Sequence, residues 1–143
     1  MNLERLGLTA VLEEMVEKIS AGSGIQFSAD IAPLDDCLSP DDAINVYRMI
    51  QESINNIVRH SHASKANLEI WQEGGDVHIV VADNGNGFTP ESPARRGLGL
   101  TTITERVRML GGAHSIVSNP GQGTTLTILF PARDSAKGTA SDC

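Results

Sequence analysis

The stretch ANLEIWQEGGDVHIVV, residues 66–81, decides the fold class of this chain. Apolar and polar residues alternate on both sides of its central Gly-Gly pair, and this pattern predicts two half-buried strands joined by a tight turn. Similar strand patterns occur at residues 25–31, 113–118 and 124–131. The sequence therefore predicts a five-stranded sheet that contains this hairpin.

Three helical patterns lie between these strands. Apolar residues at helical spacing predict a first helix over residues 8–21. Ser39 followed by proline is a strong helix start, and the second helix is predicted to run to about residue 61. A third pattern begins at Leu100 and ends at the glycine pair 111–112. The order of elements predicts an α+β fold, a two-layer α/β sandwich with about three helices on one face of a mixed five-stranded sheet.

Length and composition predict one folded domain, residues 1–131, followed by a disordered polar tail, residues 132–143. Hydrophobic residues make up 40% of the chain and charged residues 20%, which argues against wholesale disorder. No apolar run approaches the roughly 18 residues of a membrane helix, and two cysteines are too few for a disulfide framework. We therefore expect a cytoplasmic domain with no direct membrane contact.

The charge is unevenly distributed along the chain. Asp and Glu number 18 against 11 Lys and Arg, which gives a net charge of −7, and the whole excess lies in residues 1–42. An acidic first third repels a phosphate backbone, and no cluster of basic residues with interleaved aromatics offsets it. The sequence therefore argues against nucleic acid as a partner.

Glycines are concentrated in the second half of the chain, where ten of the fourteen form five close pairs between residues 74 and 123. Two pairs occupy the predicted hairpin turn and helix end, whereas three are Gly-x-Gly motifs at 85–87, 97–99 and 121–123. One such motif is typical of a turn, but three in one region suggest loops that approach a ligand closely. Neither a P-loop nor a GxGxxG motif is present, and residues 83–87 lack the ligands of a calcium loop.

The second predicted helix carries a polar face opposite its apolar stripe. At about 100° per residue, Glu52, Asn56 and Arg59 fall on one side of an ideal helix. Such a face is typical of a solvated surface, but an acid, an amide oxygen and a guanidinium also suit a nucleotide with Mg²⁺. The nearby pair His60 and His62 has no third metal ligand at a suitable spacing, which favours a solvent-exposed helix end.

Four ordered motifs resemble those of one ATPase superfamily. They are YRMIQESINNIVRHSHA (47–63), DNGNGF (83–88), GLGL (97–100) and GQGT (121–124). These look like the N box and glycine boxes of the GHKL ATPases, which include gyrase, mismatch-repair ATPases, a heat-shock chaperone and sensor histidine kinases. The chain most resembles the ATP-binding domain of nitrate-sensor-like bacterial histidine kinases, where the lead-in LGLTAVL (6–12) also has a counterpart. The resemblance implies a Bergerat-type sandwich that binds ATP with Mg²⁺.

The resemblance assigns four residues to the adenosine part of ATP. Asp83 would accept a hydrogen bond from the adenine amino group, and Thr124 would reach the edge of the base. Gly85 and Gly87 would let their loop pass beside the base and the sugar.

The resemblance assigns a second set of residues to the phosphates and the metal. Asn56 would ligate Mg²⁺ through its amide oxygen, and Arg59 with His60 would face the phosphates. Glu52 is the catalytic candidate, either orienting the attacking group or positioning metal or acceptor. A further segment would offer main-chain N–H groups and a helix N-terminus to the phosphates: Gly97, Leu98, Gly99, Leu100 and Thr101.

The expected function is that of the ATP·Mg²⁺-binding catalytic domain of a two-component sensor histidine kinase. No helical hairpin with a phosphoacceptor histidine precedes residue 8, so we expect transfer of the γ-phosphate to a histidine on a separate dimerisation domain, and no autophosphorylation by this chain alone. A response regulator would act downstream, and anchoring of the parent protein in a membrane stays open. The short segment 88–97 lacks the extra aromatic box of the larger histidine-kinase class.

Two other functions stay open from the sequence. One is a free-standing GHKL serine kinase of the anti-sigma type, although proteins of that type lack the 6–12 lead-in. The other is a non-catalytic module that senses or binds nucleotide.

Overall fold

The computed structural model describes residues 3–34, 38–87 and 100–132. The predicted tail lies, from residue 133 onward, outside the described residues. In chain order the elements are α1 (Leu3–Ser23), β1 (Gln26–Ile31), α2 (Pro40–Asn56), a π-helical turn (Ile57–Ser61), β2 (Lys65–Glu73), β3 (Asp76–Asp83), α3 (Leu100–Met109), β4 (Ala113–Ser118) and β5 (Thr124–Pro131).

The five strands form one mixed sheet in the order β1-β2-β3-β5-β4. β1 runs parallel to β2, whereas the other three pairings are antiparallel. The predicted hairpin joins β2 to β3 through Gly74 and Gly75, whose φ angles of 62° and 87° are those of a type I′ turn. β1 is an edge strand, and Ala29 is exposed although the alternation predicted it to be buried with Phe27, which is buried.

The helices cover one face of the sheet, and the core lies between the two layers. Leu12, Ile50 and Ile103, one from each helix, are at most 1% exposed. They belong to the same apolar cluster as alternate residues of the three central strands, for example Leu68, Ile79 and Ile128. Burial of each such side chain contributes about 1.5–3 kcal/mol. The predicted two-layer α/β sandwich is therefore confirmed.

Helix α1 is longer than predicted, since it begins at Leu3 rather than near residue 8. Gly7 interrupts it with a non-helical conformation at φ 80° and ψ 160°, so the regular helix starts where the apolar pattern starts. Within the described residues, no helix combines the length and the hydropathy that crossing a bilayer requires.

Helix α2 begins as predicted, with the Ser39 hydroxyl accepting the Asp42 N–H at 3.2 Å and proline in the first turn. The predicted helical run to about residue 61 is confirmed in extent, but after Asn56 the chain widens from an α-helix into the π turn. Here the Ser61 hydroxyl bonds the Ile57 carbonyl at 2.7 Å, and His62 ends the element with a left-handed φ of 55°. The Ser61 hydroxyl thus takes up a main-chain carbonyl at the end of the π turn.

Candidate functional site

A cleft opens where the C-terminal end of α2, the π turn and α3 meet strands β3, β4 and β5. Its cavity volume is about 80 Å³, and this space is continuous with open solvent. The residues that line it are Ser53, Asn56, Ile57, His60, Ser61, Val81, Asp83, Gly87, Ile103, Ile116, Thr124 and Leu126.

The strand side of the cleft presents Asp83 and Thr124, which face each other across the β3–β5 pairing. The Gly85 N–H donates to the Asp83 carboxylate at 2.8 Å, and the Thr124 main-chain N–H donates to it as well. Burial raises the pKa of Asp83 above its ordinary value, and these two hydrogen bonds offset part of that rise. The Thr124 hydroxyl lies 2.8 Å from the Ser118 hydroxyl. Asp83 is therefore a half-buried carboxylate held in one orientation.

The helix side of the cleft presents Asn56 and His60, one helical turn apart. The Asn56 Oδ1 atom is shielded from solvent, whereas His60 is exposed at the rim. Ser53 lies beside Asn56 on the same helix, is 5% exposed, and donates its hydroxyl to the Met49 carbonyl at 2.8 Å. This side can offer an amide oxygen and an imidazole to a ligand that reaches across from Asp83.

The predicted polar face of the second helix is divided by the fold. Glu52 and Arg59 form a loose ion pair at 3.7 Å, with side chains 31% and 58% exposed, and neither lines the cleft. Asn56 lines it because, on an ideal helix, it lies about 60° from the buried Ser53 as well as about 40° from Glu52. The helical wheel therefore groups Asn56 with two residues that the structure leaves outside the cleft.

The loop after β3 is wedged between two other parts of the main chain. A Cβ atom on Gly85 would lie 2.2 Å from the Ser61 carbonyl oxygen, and one on Gly87 would lie 2.1 Å from that of Asn119. The Asn86 N–H donates to the Ser61 carbonyl at 2.7 Å. Gly85 therefore packs against protein and does not line the cleft, whereas Gly87 lines it; their predicted contact with a base and sugar stays a prediction.

The predicted phosphate segment lies mostly outside the described residues. Gly97, Leu98 and Gly99 fall in that part of the chain, and Leu100 and Thr101 form the first two positions of α3. The N-terminus of α3 carries main-chain N–H groups and a partial positive charge that suit an anion. The phosphate role of this segment stays a prediction.

The donor atoms of the cleft suit a metal ion that is bound mainly by a ligand's phosphates, rather than one that is bound by protein side chains alone. Among residues 3–34, 38–87 and 100–132, no group of three His, Cys, Asp or Glu side chains is placed to hold a metal ion. Mg²⁺ is commonly held by one or two protein oxygens together with phosphates and waters. The Asn56 Oδ1 atom fits an ion that arrives with phosphates, and this part of the chain has no cage made of protein ligands alone.

Sequence reasoning missed the apolar wall of the cleft. Five side chains contribute to this wall, and their patterns had placed most of them in the core: Ile57, Val81, Ile103, Ile116 and Leu126. They line the cleft because the two layers separate at this end of the sheet. Ser53 was the available signal, since a small polar residue interrupts the apolar side of the second helix.

Comparisons with known proteins agree with the motifs. A family model described as histidine kinase-, DNA gyrase B-, and HSP90-like ATPase matches residues 41–134. The chain is 35% identical over 132 residues to the sensor histidine kinase MctS of Rhizobium johnstonii, covering 90% of this chain and 28% of MctS. It is 29% identical over 138 residues to the sensor histidine kinase LiaS of Bacillus subtilis, covering 96% of this chain and 38% of LiaS.

The fold also has close counterparts among solved structures. The blue-light activated histidine kinase of Erythrobacter litoralis EL346 superposes with a TM-score of 0.74 at 20% identity, over 87% of this chain and 42% of that one.

The chain spans little more than a quarter of MctS and under two fifths of LiaS. Because the family model covers about two thirds of the sequence, the resemblance is confirmed. The chain belongs to the family of histidine kinase-, DNA gyrase B- and HSP90-like ATPases.

Proposed function

We propose that this chain binds ATP with Mg²⁺ and donates the γ-phosphate to a histidine on a separate dimerisation and phosphoacceptor domain. The observation that carries the proposal is a half-buried Asp83 on the strand side of an apolar cleft, with Asn56 and His60 on its helix side. The sensor histidine kinases among the relatives support the choice of a histidine as acceptor.

The strand side of the cleft suits an adenine base. Val81 and Leu126 provide apolar surface, and the oriented carboxylate of Asp83 provides an acceptor for the exocyclic amino group. Carboxylates accept such hydrogen bonds more strongly than neutral oxygens do. Thr124, directly opposite Asp83 in the sheet, adds a hydroxyl at the edge of the base.

The helix side of the cleft suits the phosphates. Asn56 would hold Mg²⁺ through Oδ1, and His60 with the N-terminus of α3 would bind phosphate oxygens. When bound, Mg²⁺ neutralises charge on the transferred phosphoryl group. Phosphoryl transfer depends mainly on alignment and on charge stabilisation, so this sparse set of residues suffices.

Glu52 and Arg59 lie outside the cleft, where an incoming acceptor domain could reach them. Arg59 carries a guanidinium suited to phosphate, and Glu52 carries a carboxylate suited to orienting an acceptor imidazole. We assign both to the transfer step rather than to nucleotide binding. In the parent protein, a response regulator would receive the phosphoryl group from the histidine.

Calorimetric titration with ATP, with and without Mg²⁺, tests the binding half of the proposal. Wild type is expected to bind ATP more tightly with Mg²⁺ than without it. Asn56→Ala is expected to lose most of that difference, because loss of one metal ligand should weaken the binding of ATP with Mg²⁺ about ten-fold. Asn55→Ala is the matched control, because Asn55 is adjacent on the helix and does not line the cleft. No binding of ATP by a folded wild type would refute the nucleotide site.

Transfer of radiolabelled phosphate to an added phosphoacceptor domain tests the second half. We expect label on the added domain in an acid-labile form, as phosphohistidine, and none on this chain alone. Acid-stable label on a serine of a protein substrate would favour the anti-sigma type of kinase. Binding of ATP with no transfer to any acceptor would favour a nucleotide-sensing module.

A further inference from the structure

Asn84 directly follows Asp83, the proposed acceptor for the adenine amino group, yet Asn84 does not line the cleft. Its Oδ1 atom accepts the N–H groups of Ser64 and Lys65 at 2.9 and 3.0 Å, and its Nδ2 atom donates to the Ser64 hydroxyl at 2.9 Å. The Asn84 main-chain N–H donates to the Lys65 carbonyl at 3.1 Å. One residue thus joins the end of β3 to the start of β2 through four hydrogen bonds.

These bonds matter because the orientation of Asp83 depends on the course of the main chain at residues 83–85. The Asp83 carboxylate accepts the N–H groups of Gly85 and Thr124, so a shift of Gly85 disturbs one of the two hydrogen bonds that orient it. On one side β5 holds this loop, since Asp83 pairs with Thr124. On the other side the bonds of Asn84 hold it.

Ser64 and Lys65, which Asn84 bonds, lie three and four residues after the end of the π turn that carries His60. Asn86 makes a second link in the same direction, through its N–H to the Ser61 carbonyl at 2.7 Å. Asn86 uses only its main chain for this bond, so any residue at that position can form it. The side-chain link of Asn84 depends on a carboxamide that offers both a donor and an acceptor.

We infer that Asn84 is a positioning residue that aims the Asp83 carboxylate at the amino group of the nucleobase, and so sets the preference for adenine over bases that lack this group. The inference rests on the proposed ATP site. It assigns Asn84 an effect on base discrimination, which a role in stability alone would not produce.

The test compares the binding of ATP and inosine triphosphate, which carries a carbonyl where adenine carries its amino group. We expect wild type to prefer ATP by about 10-fold or more, the scale of one hydrogen bond to a charged group. Asn84→Ala is expected to lower this preference about five-fold by weakening ATP binding, with inosine triphosphate binding little changed. Asn84→Asp keeps an acceptor for the two N–H groups but loses the donor to the Ser64 hydroxyl, so it should retain more of the preference than Asn84→Ala does.

Asn67→Ala is the matched control, because Asn67 lies on β2 and its side-chain amide donates to the exposed Glu69 carboxylate rather than to the loop after β3. It should leave the preference unchanged. The inference is overturned, while the ATP site stands, if Asn84→Ala weakens the binding of both nucleotides by the same factor. It is overturned in the same way if Asn84→Ala binds both nucleotides as tightly as wild type does. If folded wild type binds neither nucleotide, the proposed function fails and the inference fails with it.

A second measurement on wild type avoids dependence on the variants folding. Hydrogen exchange at the Ser64 and Lys65 amides, followed by NMR, should be slow in the free protein and slower still with ATP bound. Exchange at these amides as fast as in an unstructured peptide would overturn the inference, because the side-chain bonds of Asn84 would then be absent in solution.

Discussion

The two ends of β3 use the same residue type for different purposes. At the hairpin end, Gly74 and Gly75 have positive φ angles, and a Cβ atom on either would meet nothing within 4 Å. At the cleft end, a Cβ atom on Gly85 would lie 2.2 Å from the main-chain carbonyl oxygen of Ser61. A Cβ atom on Gly123 would lie 2.0 Å from the main-chain carbonyl oxygen of Asp83. Glycine supplies only a backbone angle at the hairpin end, whereas at the cleft end it supplies space, and at Gly123 a positive φ as well.

This difference teaches why the cleft end is suited to hold a ligand group in place. Three stretches of main chain touch there without side chains between them, so the loop after β3 cannot move without moving the π turn or the start of β5. The hairpin end is open and can adjust to a substitution. We therefore expect substitutions at the cleft end to be more disruptive, and the following predictions test that expectation.

The largest effect is expected for Gly123→Ala. Gly123 combines a φ of 82° with contacts too close for a Cβ atom, so strain and overlap add, and the free energy of unfolding should fall by about 3 kcal/mol or more. Gly121→Ala is the matched control, with a φ of 77° in the same turn and open space around it, and it should lose about 1–2 kcal/mol. Urea denaturation measures both. Equal losses would mean that space at the cleft end does not matter.

A smaller effect, on binding rather than on stability, is expected for Asp83→Asn. The amide can still accept the Gly85 N–H but offers a weaker acceptor to adenine, so ATP affinity should fall by about 1–3 kcal/mol in calorimetry. Asp76→Asn changes the same side chain at the hairpin end of β3 and should leave ATP affinity unchanged. Unaltered ATP affinity in Asp83→Asn would remove Asp83 from the proposed adenine site.

Gly74→Ala is expected to have a modest effect at the hairpin end. Its φ of 62° makes a side chain unfavourable, but the space is open, so a loss of about 1 kcal/mol in the free energy of unfolding is expected. ATP affinity should not change, because the hairpin lies at the far end of β3 from the cleft. A loss as large as that of Gly123→Ala, seen in the same urea titration, would contradict the contrast between the two ends.

The smallest effect is expected in the pH dependence of stability. Burial raises the pKa of Asp83 above its ordinary value of 3.8, so the ionised carboxylate destabilises the fold. This destabilisation is present in full above the raised pKa and disappears as the pH falls below 3.8. Asp83→Asn should therefore unfold at a slightly higher urea concentration than wild type at neutral pH, and the difference should vanish in acid. A difference that grew toward acid pH would contradict this.

Much of the fold was predictable because its signals are local. The alternation around the Gly-Gly pair predicted both strands of the hairpin, and Ser39 with the following proline predicted the start of α2. The π turn was not predictable from apolar spacing, because that spacing does not distinguish the last turn of an α-helix from a slightly wider turn. The exposure of Ala29 was not predictable either, because the alternation treats it like the buried Phe27 on the same strand.

The candidate site was predictable in part. The motifs pointed to Asp83, Gly87, Thr124, Asn56 and His60, and all five line one cleft. Glu52 and Arg59 were grouped with Asn56 by a regular helical wheel, but the structure places them outside it. A wheel describes one helix alone and has no information on which neighbour covers each side.

The sequence by itself determined the strands, the start of α2 and the motif residues, because these depend on backbone preference and on side-chain spacing between near neighbours. Only the tertiary structure decided that Gly85 needs space against Ser61, that Asn84 bonds the start of β2, and that an apolar wall opens beside Asp83. These features join residues that are distant in the chain. Their separation is set by the packing of two layers, and no local pattern encodes that distance.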